Sequence, residues 1–284
     1  MGFSPCGRCC PERIKGSEMQ RRTGVCETIE GQGVIIPAIL YKYRAFTGWT
    51  HEIFEKSELY FSRPRDFNDP FDSVVRFLYK GNHCERKRFL RDWHSCSPRR
   101  QAIHSQKVMM RNGQDLKNIA QIFRDEVEAI RGRVAVCCFT AEPKNVLMWA
   151  HYALKHTGFC LGFQTGSEFF RLARPITYKP KLNCLNVLKV AWNELMTQTA
   201  DAILTKAEDW DYEKEWRIIE FDGDPGPRQF PPEAVVRVIL GCRISAPDRQ
   251  RIEQWCAKRS PRPTLYEATV KDEEFGLEIP GLPA

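Results

Sequence analysis

A chain of 284 residues with 42% hydrophobic residues is long enough to bury a substantial core without disulfides or a structural metal, and no run reaches the roughly 20 apolar residues needed to cross a bilayer. The formal net charge of +7 permits an anionic partner without requiring one, and gathers locally at Arg86-Lys87-Arg88, Arg99-Arg100 and Arg249 to Arg251. Twelve cysteines spread over this length, with no secretory-type apolar core after Met1, read as reduced thiols of a cytoplasmic protein rather than as a disulfide framework.

Residues 1–33 mix Cys, Gly, Arg and Glu without apolar periodicity and are expected to form a mobile leader. Its Cys6, Cys9, Cys10 and Cys26 contain one CxxC element but no second and no nearby His, so no metal site is expected. A single α+β domain is expected over residues 34–271, followed by a tail at 272–284. Its first strand runs from Val34 to Phe46, with Tyr41 and Tyr43 on one face and Lys42 and Arg44 on the other. A short helix near Trp49 to Lys56, the segment Leu59 to Ser62 and a turn-rich stretch from Arg63 to Phe71 follow. That stretch, dense in Asp, Asn and Phe, packs on itself or walls a binding site.

Gly81 to Asn112 is polar and basic. Its His83, Cys84, His94, Cys96 and His104 match no common zinc spacing, so a solvated helical segment is expected. Asp115 reads as the N-cap of a core helix presenting Leu116, Phe123, Val127 and Ile130, stopped by Gly132. Val134 to Phe139 is a buried strand, and Asn145 caps a helix over Val146 to His156 that Thr157-Gly158 ends. Strands at Phe159 to Phe163 and Pro175 to Tyr178 precede a long helix with Leu185, Leu188, Trp192, Leu195, Thr199 and Ile203 in register. Further strands are expected at Ala234 to Leu240 and Thr264 to Val270, around a basic helix near Asp248 to Lys258. Helices and strands mix without regular βαβ alternation, which argues an α+β fold with a mixed, largely antiparallel sheet flanked by helices.

The run from Tyr212 to Phe221 carries the strongest chemical pattern. Alternation puts Glu213, Glu215 and Arg217 on one strand face and Trp216 and Ile218 on the other. Such alternation is most often the solvated face of a strand. If the Trp/Ile face packs, two carboxylates and a guanidinium are presented together, an arrangement suited to orienting a ribose and activating a nucleophile. On the Val146 helix, Trp149, Tyr152 and His156 share a face and His151 lies on the adjacent one. This helix either packs on the sheet or offers a base or donor to a cleft. GxGxxG, P-loop and nucleophile-elbow patterns are missing, which leaves Rossmann, Walker and hydrolase-triad readings without support.

Four segments taken together resemble the bacterial family catalogued as domain of unknown function 2971: Leu40-Tyr41-Lys42-Tyr43-Arg44, Asp66 to Asp72, Met148 to Tyr152 continuing through His156 to Phe163, and Trp210 to Arg217. The resemblance spans roughly Ile39 to Gly241 and is associated with phage defence. More distantly, Leu40-Tyr41-Lys42, Tyr60-Phe61-Ser62 or Tyr152, and Glu215 resemble in order the early strand, middle segment and late catalytic Glu of ADP-ribosyltransferases, including DarT-like and RES-type branches. This chain has Lys42 where that group has His or Arg. The resemblance implies NAD as substrate, with Glu215 as catalytic carboxylate assisted by Glu213, Tyr152 and His151. Lys42, Tyr43, Arg44, Tyr60, Ser62, Asn68 and Asp69 would bind the dinucleotide. ADP-ribose would pass to a macromolecular acceptor, nucleic acid or protein, or to water. Two alternatives stand beside it: a non-enzymatic module whose basic surface contacts nucleic acid or protein in a defence system, and a metal-dependent nuclease that assigns Asp69, Asp72, Glu213 and Glu215 to a divalent metal.

Overall fold

The computed structural model describes residues 34–95, 112–189 and 194–283. The expected leader with its cysteines, and Cys96, His104 and Trp192, lie outside the described residues. In chain order come β1 (Ile39–Arg44), α1 (Thr50–Glu55), β2 (Glu58–Phe61), β3 (Val75–Leu78), α2 (His83–Ser95) and α3 (Asn112–Arg131). They are followed by β4 (Val134–Thr140), α4 (Val146–Tyr152), β5 (Phe159–Gln164), α5 (Glu168–Arg171), β6 (Arg174–Pro175), β7 (Thr177–Lys179), β8 (Asn183–Asn186), α6 (Leu195–Ile203) and β9 (Thr205–Ala207). Last come β10 (Glu215–Phe221), β11 (Gly226–Gln229), β12 (Val235–Leu240), α7 (Ala246–Ala257), β13 (Thr264–Glu267), β14 (Thr269–Val270) and β15 (Leu277–Glu278). Among the described residues no helix is long and apolar enough to cross a membrane.

The chain divides into two compact units. In the smaller one β3 pairs with β8 in parallel, and α3 buries Ala120, Phe123 and Val127 at the i, i+3, i+4 spacing that makes one helix face. The larger unit holds a seven-stranded sheet in the order β13-β12-β5-β1-β4-β10-β6, antiparallel throughout except for the parallel pair β12 and β13. The fold is therefore α+β with a mixed, largely antiparallel sheet, as the pattern of elements implies.

Strand periodicity sorts the two faces of this sheet. Leu40, Phe139, Phe163, Trp216, Ile218 and Val238 point to one side, where Phe54 of α1 and Ile252 of α7 close the main core. Tyr41, Tyr43, Cys160 and Ile239 point to the other and pack with Met148 and Trp149 of α4 and with Ala268, Leu277 and Ile279. Residues 272–284, expected to be a tail, thus contribute β15, two core side chains and a pairing with β14. Toward β4 and β10 this second face turns polar, and there the site forms.

Several boundaries differ from the expectations, each for a local reason. Glu213 is not on a strand: it ends a 3-10 turn over Glu208–Glu213, Lys214 adopts left-handed backbone at φ 44°, and β10 begins at Glu215. Asp115 lies inside α3, which starts at Asn112. The long helix expected from Leu185 begins only near Leu195. Leu185 in β8 and Val187 just past its end are both buried, a two-residue period that competed with the helical spacing. The helix over Val146 to His156 stops at Tyr152 because Leu154, Lys155 and His156 all have positive φ. Gly158 follows this turn at a close approach to the Arg44 carbonyl that leaves no room for a Cβ. Pro175 to Tyr178 forms two short strands, β6 on β10 and β7 in parallel with β9.

Candidate functional site

The site begins with an incomplete ladder. β1 pairs with β5 along its whole length, Ile39 with Gln164 through Arg44 with Phe159, but meets β4 only where Tyr41 faces Thr140. Beyond that pair the strands separate. Ser62, at the end of β2, takes up the far part of the β4 edge by exchanging two backbone hydrogen bonds with Val136, at 2.9 and 2.8 Å. Between these two attachments lies a cavity of about 310 Å3 bordered by Lys42, Arg44, Tyr60, Ser62, Cys138 and Thr140. Its size is at the lower end for small-molecule sites.

β10 supplies the acidic wall. Glu215 faces Thr140 and Arg217 faces Cys138 in the antiparallel register with β4, so both side chains share the polar face of the sheet. The preceding turn is pinned to the end of β4: Thr140 Oγ1 donates to the Glu213 carbonyl, and Ala141 N–H donates to the Lys214 carbonyl at 3.1 Å. Glu213 is thereby brought beside Glu215 by a turn. Tyr178 fixes Glu215 from the β7 side, its phenolic oxygen accepting from the Glu215 N–H at 2.8 Å.

α4 delivers Tyr152. Asn145 caps the helix by accepting from Leu147 and Met148 N–H, and its Nδ2 reaches the Tyr212 carbonyl at 3.4 Å. Trp149 is fully buried edge-on to Tyr43, with ring centroids 5.1 Å apart. Three residues further along the same face, the Tyr152 hydroxyl donates to Glu213 Oε1 at 2.7 Å.

Two buried cations bind the acids together. Lys206 of β9 donates to Glu213 Oε2 at 2.5 Å and to Glu215 Oε2 at 3.1 Å, and lies 3.8 Å from Asp72 Oδ2. Arg217 is engaged on both edges. It grips Glu215 through Nε at 2.7 Å and Nη2 at 3.0 Å, and Asp72 through Nη1 at 2.9 Å and Nη2 at 2.6 Å. The Ile203 carbonyl accepts a further bond from Nη1 at 2.6 Å, and the Phe67 ring covers the guanidinium at 5.0 Å. The five charged side chains are between 1 and 5% exposed. At this depth an unpaired charge would cost several kcal/mol, on the order that buried-pair disruption shows, which explains the density of bonds.

The two glutamates are held in different states. Burial pushes the Glu215 carboxyl upward, but Arg217 and Lys206 more than offset this and bring it down to about 2. For Glu213 burial prevails over Lys206, aided by repulsion from Glu215, and its pKa lies above the ordinary carboxylate value. Burial raises the Tyr152 phenol, and the Glu213 charge adds to it. Burial acts to lower the Lys206 ammonium, but the two glutamates reverse this and keep it protonated. The paired environments pull two neighbouring carboxyls apart in acidity, a pattern found where one carboxyl exchanges protons and the other stays ionised.

On the β1 wall the cations are placed differently. Lys42 donates to the Cys138 carbonyl at 2.5 Å and its ammonium lies 5.2 Å from the Phe139 ring centroid. The Arg44 side chain has no hydrogen-bond or ion-pair partner among the described residues, and its Nε is buried. Burial lowers its pKa below the usual guanidinium value. The Tyr43 hydroxyl is committed to the Glu142 carbonyl at 2.8 Å.

Of the residues singled out in the sequence, Glu213, Glu215, Tyr152, Lys42, Tyr43, Arg44, Tyr60, Ser62 and Asn68 all border this cavity. His151 and Asp69 do not. His151 is exposed, packing its ring against Tyr152 and Trp210 at 6.3 and 6.4 Å. Asp69 is buried in its own loop, where its carboxylate accepts from the Phe71 N–H at 2.9 Å and its carbonyl from the Asp72 N–H at 3.1 Å. Asp69 thus shapes the loop that carries Asp72 to Arg217. Sequence reasoning missed Lys206 altogether and gave Asp72 only a metal-binding role. The available signal was a lone lysine in the apolar run Ile203 to Ala207, just before the acid-rich turn.

The family described as a protein of unknown function, DUF2971, matches residues 148–218. The match is narrower than the span from Ile39 to Gly241 expected from the four segments. It includes Tyr152, Lys206, Glu213, Glu215 and Arg217, while Lys42, Arg44 and Asp72 lie before it. No curated protein and no solved structure matches the chain. From α4 to the middle of β10, the part that carries the acidic wall, the chain is similar to that family.

Proposed function

We propose that the larger unit is an ADP-ribosyltransferase-like enzyme that takes NAD into the cavity and transfers its ADP-ribose to a macromolecular acceptor or to water. The observation that carries this reading is the meeting of Glu213 and Glu215 at one wall of a cavity whose β1 wall offers an uncommitted arginine. Arg44 suits a pyrophosphate oxygen, and Tyr60, which is largely exposed, provides a ring for stacking at the cavity border. In the reaction the glycosidic bond breaks with its electron pair leaving on nicotinamide. The positive charge developing on the ribose is met by the ionised Glu215, and the attacking hydroxyl or water loses its proton to Glu213.

The nuclease reading requires the carboxylates of Asp72, Glu213 and Glu215 to turn to a metal, yet Lys206 and Arg217 already engage all three. Nicotinamide release from NAD by the purified protein, followed chromatographically with EDTA present, tests the transferase reading. Turnover is expected to fall roughly 100-fold or more in Glu213→Gln and in Glu215→Gln, the scale of losing one preorganised charged group. His151→Ala is expected to leave it unchanged. Folded wild-type protein that neither binds NAD nor releases nicotinamide removes the proposal.

A further inference from the structure

The buried cluster at the cavity wall is one positive charge short. Lys206 and Arg217 face Asp72, Glu213 and Glu215, so two cations meet three carboxylates. Arg217 satisfies Asp72 and Glu215 with paired bonds to each, whereas Glu213 must share Lys206 with Glu215. The excess negative charge therefore collects at Glu213. Among the described residues its surroundings offer no further cation: Tyr152 of α4, Lys206 of β9, Glu215 of β10 and the neighbouring Tyr212 and Tyr178 are the titratable groups around it. Lys42 and Arg44 border the same cavity but form no ion pair with any of these acids. Among the described residues Glu213 Oε1 is held only by the Tyr152 hydroxyl, which carries no compensating charge and itself takes a bond from Asn68 Nδ2 at 3.5 Å.

A buried carboxylate in this position is stabilised by whatever supplies the missing charge, a proton or a cationic group in the cavity. We infer that the cavity selects ligands carrying a permanent positive charge at the part that meets Glu213 and Tyr152, an N-substituted pyridinium being the chemical class of the right size. The inference rests on the proposed use of this cavity as the substrate site. It adds that a ligand is recognised by its cationic ring as well as by any phosphate. Binding of such a cation competes with protonation of Glu213.

The test compares N1-methylnicotinamide, a cation, with nicotinamide, its neutral counterpart, using saturation-transfer NMR and titration of the wild-type protein. At alkaline pH the cation is expected to bind tighter by roughly tenfold or more, the effect of one well-placed charge, and its advantage to shrink as the pH is lowered and Glu213, whose carboxyl burial holds above the ordinary carboxylate value, gains a proton. Glu213→Gln is expected to abolish the preference. Should that variant fail to fold, the pH series on wild type alone decides. Equal binding of the two probes, a preference indifferent to pH, or binding of neither overturns the inference. Nicotinamide release from NAD measured on the same samples separates the two proposals. Cation preference without release leaves the inference standing and removes the transferase, and release without cation preference does the reverse.

Discussion

Replacing Arg217 by methionine removes the guanidinium and keeps most of the side-chain volume. Asp72 then retains the Ser73 hydroxyl at 2.8 Å and Lys206 at 3.8 Å, and Glu215 retains Lys206 and the weak donor of the Cys138 thiol. Removing one partner of a buried ion pair costs roughly 3–5 kcal/mol, and here two carboxylates lose a paired contact, so a loss of about 4 kcal/mol is expected at neutral pH. That is a large share of the roughly 5–15 kcal/mol that stabilises a domain. Urea denaturation followed by the fluorescence of the buried Trp149 and Trp216 measures it. The pH profile supplies a second reading. Glu215 is pulled from the usual value of 4.5 to about 2 in the folded protein, which corresponds to stabilisation on the order of 3 kcal/mol. Because the folded pKa is the lower one, this contribution is complete above about pH 4.5 and is lost as pH falls through about 2. Glu213 runs the opposite way, its raised pKa favouring the folded state as it protonates. In Arg217→Met the acid-range loss due to Glu215 is expected to flatten. A cost below about 1 kcal/mol, the value of an exposed pair, together with an unchanged acid profile would refute the reasoning.

Gly158→Ala drives a Cβ into the Arg44 carbonyl and to 3.0 Å from that of Ala153, both backbone atoms that cannot swing away. A loss of at least about 2 kcal/mol by thermal or urea denaturation is expected, against a change within about 0.5 kcal/mol for Gly48→Ala, which meets nothing within 4 Å. Tyr152→Phe removes the hydroxyl bond to Glu213 and should destabilise by about 1 kcal/mol in the same urea assay, a cost that shrinks in a Glu213→Ala background, where the acceptor is gone. Cys138 is raised well above the ordinary thiol range by burial and by the Glu215 charge, so it should react with iodoacetamide far more slowly than the exposed Cys84 in peptide mapping. Equal labelling of the two would show that Cys138 is not shielded.

The sheet strands were largely legible because runs such as Val134 to Phe139 and Phe159 to Phe163 are too short and too apolar for a surface helix and contain β-branched and aromatic residues. The site was legible in its members and illegible in its geometry. Glu213 and Glu215 stand two apart, which reads as strand alternation, yet the left-handed Lys214 lets a turn and a strand converge on one lysine. No periodicity reports that conformation in a non-glycine residue. Asp72 is far from β10 in the chain, and Lys206, nine residues before Glu215, is folded back onto it by the intervening 3-10 turn, so their meeting is a product of topology that single-sequence reasoning does not reach. His151 shows the reverse failure. Beside Tyr152 it looks like half of a catalytic pair, but adjacent helical residues project about 100° apart, and only one of them can face Glu213.

The single pairing of Tyr41 with Thr140 divides the sheet into two mechanical parts. β13, β12, β5 and β1 form one hydrogen-bonded plate and β4, β10 and β6 another, joined by one backbone register point and by the Lys42 ammonium on the Cys138 carbonyl, with Ser62 bridging the edge of the second. Arg44 rides on the first plate and the acid cluster on the second. The guanidinium and the acids are thus carried by two ladders with little backbone pairing between them, and their spacing is set by side-chain packing rather than by the sheet's own hydrogen bonds.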